Sequence, residues 1–327
     1  MKKNLTFFIT NSYGEIDEAS KIIDLTTKDD KINIIFFGNQ FKDRYLTDSI
    51  LKKKTKIKNI NIFFPNNFIN KIFVSIKLIF LSEKIYTSDD TYRNYSIFFY
   101  LICKILLKKR IIFKHTASPY YSRKVIPLPR NFLRDKKTNI IVFNKTDYNF
   151  FYKCGYKFIE QKKENKEYDN IIISKINSKI KYEKYVLILS YRIHYILPLI
   201  DKISHYKDIF EIIKKKNIKK VYIKPHPAES IKELKRILQY INVGKVEVKI
   251  SVDNVKFLSN FSLFTIGIIT GGALIPFFNK KKSLIFYKNI NKYIEYHDVM
   301  YDFEPKKSGI HICRTQNELK RIINLFE

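Results

Sequence analysis

Short runs of β-branched and aromatic residues alternate with longer amphipathic segments along this chain. In the first half the runs predict strands at Leu5–Ile9, Ile32–Phe37, Ile60–Phe64, Lys84–Thr87, Ile111–Lys114 and Ile140–Phe143. Helical spacing between them predicts helices near Glu15–Ile23, Asp43–Lys52, Asn70–Leu81, Tyr92–Lys108 and Asp147–Lys153. The strands are near-continuous apolar runs rather than strict alternations, the pattern of a parallel sheet covered on both faces. The charged, aperiodic stretch Gln161–Asp169 interrupts the alternation and reads as a linker. A second array follows, with strands at Val186–Leu189, Lys220–Ile223, Val246–Ile250, Phe264–Ile268, Ser283–Phe286 and Ile310–Cys313. Its helices are predicted near Pro198–Lys215, Ser230–Tyr240, Asp253–Asn260, Gly272–Phe278 and Gln316–Phe326. Two successive βαβ arrays predict an α/β protein of two doubly wound, Rossmann-like domains facing a cleft, 1–160 and 181–327, joined by a linker at 161–180. Ligands of such sheets bind beyond the carboxyl ends of the strands, so that edge is where chemistry is expected.

Composition adjusts this picture only slightly. The 327 residues suffice for two cores, and a hydrophobic share of 45% excludes general disorder. Lys and Arg number 62 against 31 Asp and Glu, a formal net charge of +31. That charge fits a polyanionic partner, or an enzyme of anionic substrates beside an anionic membrane. Lys, Asn, Ile, Phe and Tyr also share A/T-rich codons, and codon drift is the bland alternative explanation of the lysines. Cys103, Cys154 and Cys313 lie far apart without ligand spacing, as expected of reduced, buried thiols in a cytoplasmic protein. The first apolar run is too short for a signal peptide and reads as a strand. The apolar stretches Ile72–Leu81 and Ile97–Leu107 are broken by Lys77 and Lys104 and fall short of the roughly 20 residues of a membrane span. Core helices are expected there ahead of interfacial ones, although Lys108-Lys109-Arg110 could lie on anionic headgroups.

Two segments can carry chemistry. In Val221–Ser230 an apolar strand ends in Lys224-Pro225-His226-Pro227, and a helix follows at once. Prolines on either side of His226 remove two N–H donors and stiffen the turn, which holds an imidazole at the carboxyl edge. A histidine there can protonate, or hydrogen-bond to, a departing phosphate; the plainer alternative is a capping residue in a strand-to-helix turn. In Phe264–Leu274 a buried strand runs into Thr270-Gly271-Gly272 and an apolar helix. A hydroxyl and open N–H groups at a helix N-terminus suit a phosphate, while the same glycines would also serve close helix–strand packing. Neither GxGxxG nor a Walker A loop is present. His226 and Thr270 end two strands of one domain and can converge on one anion.

These residues resemble the bacterial sialyltransferases of GT-B fold, namely the lipooligosaccharide enzymes of glycosyltransferase family 52 and the capsule polysialyltransferases. Lys224–Pro227 is similar to their HP motif, and Thr270–Ala273 more loosely to their pair of small hydroxyl residues. The resemblance implies an N-terminal acceptor-side domain and a C-terminal domain that binds a CMP-activated sugar. It implies His226 as the acid at the donor phosphate, with Lys224, Pro227, Thr270, Gly271 and Gly272 binding the donor. The acceptor would be a lipooligosaccharide, another glycolipid or a capsule polysaccharide, at the cytoplasmic side of the inner membrane. Glycerophosphotransferases of teichoic acid synthesis and some Kdo transferases share the histidine turn, so a Kdo or CDP-glycerol donor is the alternative.

The acidic D/E-D-G motif that supplies the family's general base is missing after Arg110–Phe113. Asp89, Asp90 and His115 are the candidates, with Asp201 in a helix that also carries His205; Asp89-Asp90 equally suits a helix N-cap. Loss of the base, leaving a catalytically dead glycosyltransferase-like protein, is an alternative reading. No cofactor or metal is expected, since the chain lacks Asp-X-Asp and cationic groups with helix N–H donors can stabilise the leaving phosphate. A nucleic-acid-binding protein is the rival from another class, but no recognition motif appears and the basic residues are spread along the chain.

Overall fold

The computed structural model describes residues 3–10, 13–37, 49–88, 94–113, 135–143, 145–153, 155–165, 184–193, 197–226, 229–268, 270–288 and 310–326. Asp89, Asp90, His115 and Pro227 lie outside them. The chain divides into two compact units, whose described residues fall between 3 and 165 and between 184 and 326.

The first unit holds a seven-stranded parallel sheet: β1 (Asn4–Ile9), β2 (Lys31–Phe36), β3 (Ile60–Phe63), β4 (Lys84–Thr87), β5 (Lys109–Phe113), β6 (Asn139–Val142) and β7 (Ile159–Gln161). Their order is β3-β2-β1-β4-β5-β6-β7, with a switch point between β1 and β4. The helices among the described residues are α1 (Tyr13–Asp24), α2 (Ser49–Ile57), α3 (Phe68–Leu81), α4 (Asn94–Ile105) and α5 (Lys145–Lys153). Apolar runs in the strands bury both sheet faces, as a parallel sheet demands. Phe7, Phe36 and Phe113 pack with Ile16, Ala19 and Ile23 of α1 on one side. Phe8, Ile35 and Ile85 pack with Leu78, Ile79, Phe99 and Cys103 of α3 and α4 on the other. β7 was not predicted from sequence, because its three residues Ile-Glu-Gln have a single apolar position; it runs to Gln161, the first residue of the charged stretch. Arg110, grouped above with Lys108 and Lys109 as a headgroup contact, is instead buried: its Nη1 lies 2.9 Å from Asp135 Oδ2 and its Nε donates to Thr87 Oγ1 at 3.0 Å.

The second unit repeats the scheme with six parallel strands: β8 (Tyr185–Leu189), β9 (Lys220–Lys224), β10 (Glu247–Ile250), β11 (Ser262–Gly267), β12 (Ser283–Phe286) and β13 (His311–Cys313). They are ordered β10-β9-β8-β11-β12-β13, and the switch point falls between β8 and β11. Helices α6 (Leu199–Lys215), α7 (Ile231–Gln239), α8 (Val255–Asn260), α9 (Leu274–Phe278) and α10 (Gln316–Leu325) cover it. β8 is buried along its whole length, with Val186, Leu187 and Ile188 at the centre of one large core.

Candidate functional site

The carboxyl ends of β9, β8 and β11 present the turn with His226, the segment Ser190–Ile193 and the loop with Thr270, in that order across the sheet. His226 and Thr270 therefore do not end neighbouring strands: β8 lies between them, and its following residues stand between the two motifs. Pairing continues past the strand ends, where Ser190 N donates to Lys224 O at 2.9 Å and Ile268 N to Leu189 O at 2.9 Å.

Glu229, three residues after the histidine, organises this edge. Its Oε2 accepts the backbone N–H of His226 at 3.0 Å, and Glu229 N donates back to His226 O at 2.8 Å. Its Oε1 accepts from Ser190 Oγ at 3.0 Å and pairs with Lys202 Nζ, both side chains being fully buried. One carboxylate thus ties the β9 turn, the end of β8 and helix α6 together. The His226 ring meets Tyr191 edge-on, with centroids 5.0 Å apart and an interplanar angle of 62°. Burial pushes the His226 pKa down to about 4, reinforced by the positive charges of Arg192, Lys202 and Lys224. The imidazole is therefore neutral at pH 7, within reach of a positive field that an anion would offset. Lys224 directs its ammonium to Val252 O at 3.1 Å, beyond the end of β10.

At the end of β11, Thr270 Oγ1 accepts from Gly272 N at 3.1 Å, and Ala273 N donates to Thr270 O at 3.1 Å. These bonds cap a 3-10 turn, Gly271–Ala273, that leads into α9. Glycine is required mainly at Gly267, where a Cβ would sit 2.6 Å from Ala273 Cβ. At Gly272 an added Cβ would stand 3.2 Å from Thr270 Oγ1 and 3.4 Å from Leu189 Cδ1. The close-packing role of these glycines is real, and it holds the Thr270 hydroxyl at the sheet edge.

His205 is committed elsewhere. Its Nε2 accepts from Lys288 N at 3.0 Å, which places the proton on Nδ1, 2.6 Å from the Asp201 carbonyl. Burial lowers its pKa, and both ring nitrogens are used inside the unit. Asp89, Asp90, His115 and Pro227 lie outside the described residues, whereas Lys224, His226, Thr270, Gly271 and Gly272 gather at one sheet edge. Sequence reasoning missed Ser190, Tyr191, Arg192, Lys202 and Glu229. Two signals were available: Ser190–Arg192 directly follow an apolar strand, and Lys202 occupies the inward stripe that continues with Tyr206, Ile209 and Ile213. A lysine on a core stripe implies a buried carboxylate partner. Among the described residues no group of three His, Cys, Asp or Glu side chains could hold a metal ion.

By sequence, no protein-family profile and no curated protein matches this chain. Solved structures do match in shape. The UDP-GlcNAc 2-epimerase of Methanocaldococcus jannaschii superposes with a TM-score of 0.63 at 14% identity, covering 98% of this chain and 92% of its own. A putative UDP-N-acetylglucosamine 2-epimerase of Listeria monocytogenes gives 0.58 at 10% identity, covering 100% and 88%. The E. coli heptosyltransferase WaaC, solved with ADP-2-deoxy-2-fluoro heptose, gives 0.54 at 11% identity, covering 99% and 100%. The two parallel-sheet units are thus those of the GT-B fold: the strand pattern led us to expect two doubly wound units, and the family resemblance implied GT-B. Identities this low establish the fold alone.

Proposed function

We propose that the chain is a sugar-nucleotide-dependent glycosyltransferase whose donor phosphate binds at the carboxyl edge of the second sheet. The observation that carries this reading is His226, a neutral imidazole clamped by Glu229 among the cationic groups Arg192, Lys202 and Lys224. An arriving phosphate offsets those cations and raises the histidine's pKa, which turns it into a proton donor at the time and place of need. The acceptor hydroxyl attacks the anomeric carbon, the bond from that carbon to the phosphate oxygen breaks, and the nucleotide leaves with the electron pair. His226 hydrogen-bonds to or protonates the leaving phosphate, the Thr270 hydroxyl steadies it, and a base takes the acceptor proton. Asp89, Asp90 and His115 are the candidates for that base, and the transfer inverts the anomeric centre without a metal.

The donor best supported by the KPHP turn is a CMP-activated sialic or related nonulosonic acid, with a cell-surface glycan as acceptor and a site of action peripheral to the inner membrane. The proteins of similar fold named above are a UDP-GlcNAc 2-epimerase, a putative second one and a heptosyltransferase solved with an ADP sugar, so the base of the nucleotide is the point to test. Thermal-shift measurements with CMP, CDP, UDP, GDP and ADP should show selective stabilisation by CMP, and His226→Ala should abolish transfer from the CMP-sugar. CDP selectivity would reassign the protein to glycerophosphate transfer. Stabilisation by UDP with turnover of UDP-GlcNAc in the absence of acceptor would make it an epimerase, and no response to any nucleotide would overturn the reading.

A further inference from the structure

Helix α3 is apolar on two sides. Its inward face buries Ser75, Leu78 and Ile79. Its outward stripe, Ile69, Phe73, Ile76 and Phe80, follows helical spacing and is open to solvent, with Ile69 76% and Phe73 69% exposed. Helix α4, beside it over the same core, repeats the arrangement: Phe99 and Cys103 point inward, whereas Ile97, Leu101 and Ile105 are exposed. A surface helix needs only one apolar stripe, and a second, exposed stripe on each of two helices over one core marks an interaction site. The expectation that both segments are core helices therefore holds for one face of each.

The C-terminal ends of the two helices come together where Lys108 Nζ lies 5.8 Å from the centroid of the Phe80 ring. Just before it, Leu107 takes the left-handed conformation, φ 51°, and its side chain is 92% exposed. Lys108 N donates to Cys103 O and Leu107 N to Lys104 O, a helix-ending turn that favours glycine at this position. Leucine accepts the steric strain of a Cβ there and adds an exposed apolar side chain just past the end of α4.

The charge pattern selects the occupant. Neither helix contains an Asp or Glu, while Lys71, Lys77 and Lys104 lie on them and Lys108 and Lys109 follow. A second copy of the chain would bring two like-charged rims together. We propose that this face rests on an anionic phospholipid bilayer, with the exposed Phe, Ile and Leu side chains at the acyl boundary and the lysines at the phosphates. Among the described residues no helix is long and apolar enough to cross a membrane, so the contact lies along the surface. The inference deepens the peripheral-membrane part of the function proposed above and is independent of which nucleotide binds.

The test is sedimentation of the full chain with vesicles of phosphatidylcholine alone or mixed with phosphatidylglycerol. Pelleting with the phosphatidylglycerol vesicles is expected, falling as salt is raised. The pair Phe73→Ser and Phe80→Ser should weaken it about a hundredfold, since each exposed ring gains free energy only on burial. The pair Lys77→Glu and Lys104→Glu should weaken it at least about tenfold. Unchanged melting temperatures of both variants certify their folds, since all four side chains are at the surface. Absence of pelleting, pelleting that neither pair affects, or lipid-free self-association abolished by the Phe pair would each overturn the inference. A protein that pellets but ignores every nucleotide keeps this inference and loses the transferase reading, and the reverse outcome separates them the other way.

Discussion

His226 owes its chemistry to neighbours that local sequence does not reveal. Half-buried beside three cations, its pKa of about 4 lies well below the ordinary value of 6.5. The unfolded chain therefore binds the proton that the folded chain refuses between about pH 4 and 6.5, so this contribution is fully present above that window and is lost as pH falls through it. His205, whose pKa is also lowered, acts with the same sign. Chemical denaturation at pH 7.5 and 4.5 should show His226→Asn losing less stability on acidification than the parent, by at most on the order of 3 kcal/mol. Glu229 is the positioning residue behind the histidine. Glu229→Gln leaves Lys202 as a buried, uncompensated charge and should destabilise by about 3–5 kcal/mol, whereas adding Lys202→Met should recover much of the loss. A Lys202→Met, Glu229→Gln protein that is no more stable than Glu229→Gln alone would contradict this account. The KPHP turn was legible as a stiff histidine at a strand end, but the carboxylate that clamps it was not, because Glu229 reads locally as an ordinary residue near a helix start.

Among elements, β11 and the turn after it show how a packing constraint and a candidate binding feature coincide. Gly267 allows the Gly271–Ala273 turn to close against the strand, and the Thr270 cap then fixes the turn. Gly267→Ala forces its new methyl onto Ala273, a backbone-anchored neighbour that cannot swing aside, and should cost about 1–3 kcal/mol in urea denaturation. Gly272→Ala, with milder contacts, should cost less; a reversed order would show that the turn is held by something other than this contact. Strand and helix positions were largely readable, since continuous apolar runs of four to six residues have few other uses in a chain this polar. β7 escaped because two of its three residues are polar and, as an edge strand, it is held in the sheet by pairing with β6. Helices α3 and α4 were readable as helices but not as exposed ones, since periodicity cannot tell which of two apolar faces the sheet will cover.

For the whole molecule, the charge of +31 divides into parts with different uses. Lys54 pairs with Asp24, Arg110 with Asp135 and Lys202 with Glu229 in buried sites, where the charges serve the folds of the units. Arg192 and Lys224 contribute to the field at His226. The lysines along α3 and α4 border an apolar face. The transfer proposed above, resting on His226 and on N–H donors rather than a metal, should run at full rate in excess chelator; activity restored only by a divalent ion would contradict that mechanism.

Local pattern alone determined that the chain would form two parallel α/β arrays, and it located the Lys-Pro-His-Pro turn and the Thr-Gly-Gly loop at strand ends, because side-chain periodicity and proline or glycine stereochemistry act over a few residues. Tertiary structure alone decided that β8 separates those two motifs, that Lys202 and Glu229 meet across 27 residues, that both nitrogens of His205 are used in hydrogen bonds, and that the outer stripes of α3 and α4 are exposed. Each of those outcomes depends on which distant segments become neighbours, and strand order and burial are set by the packing of the entire core rather than by any window of the chain.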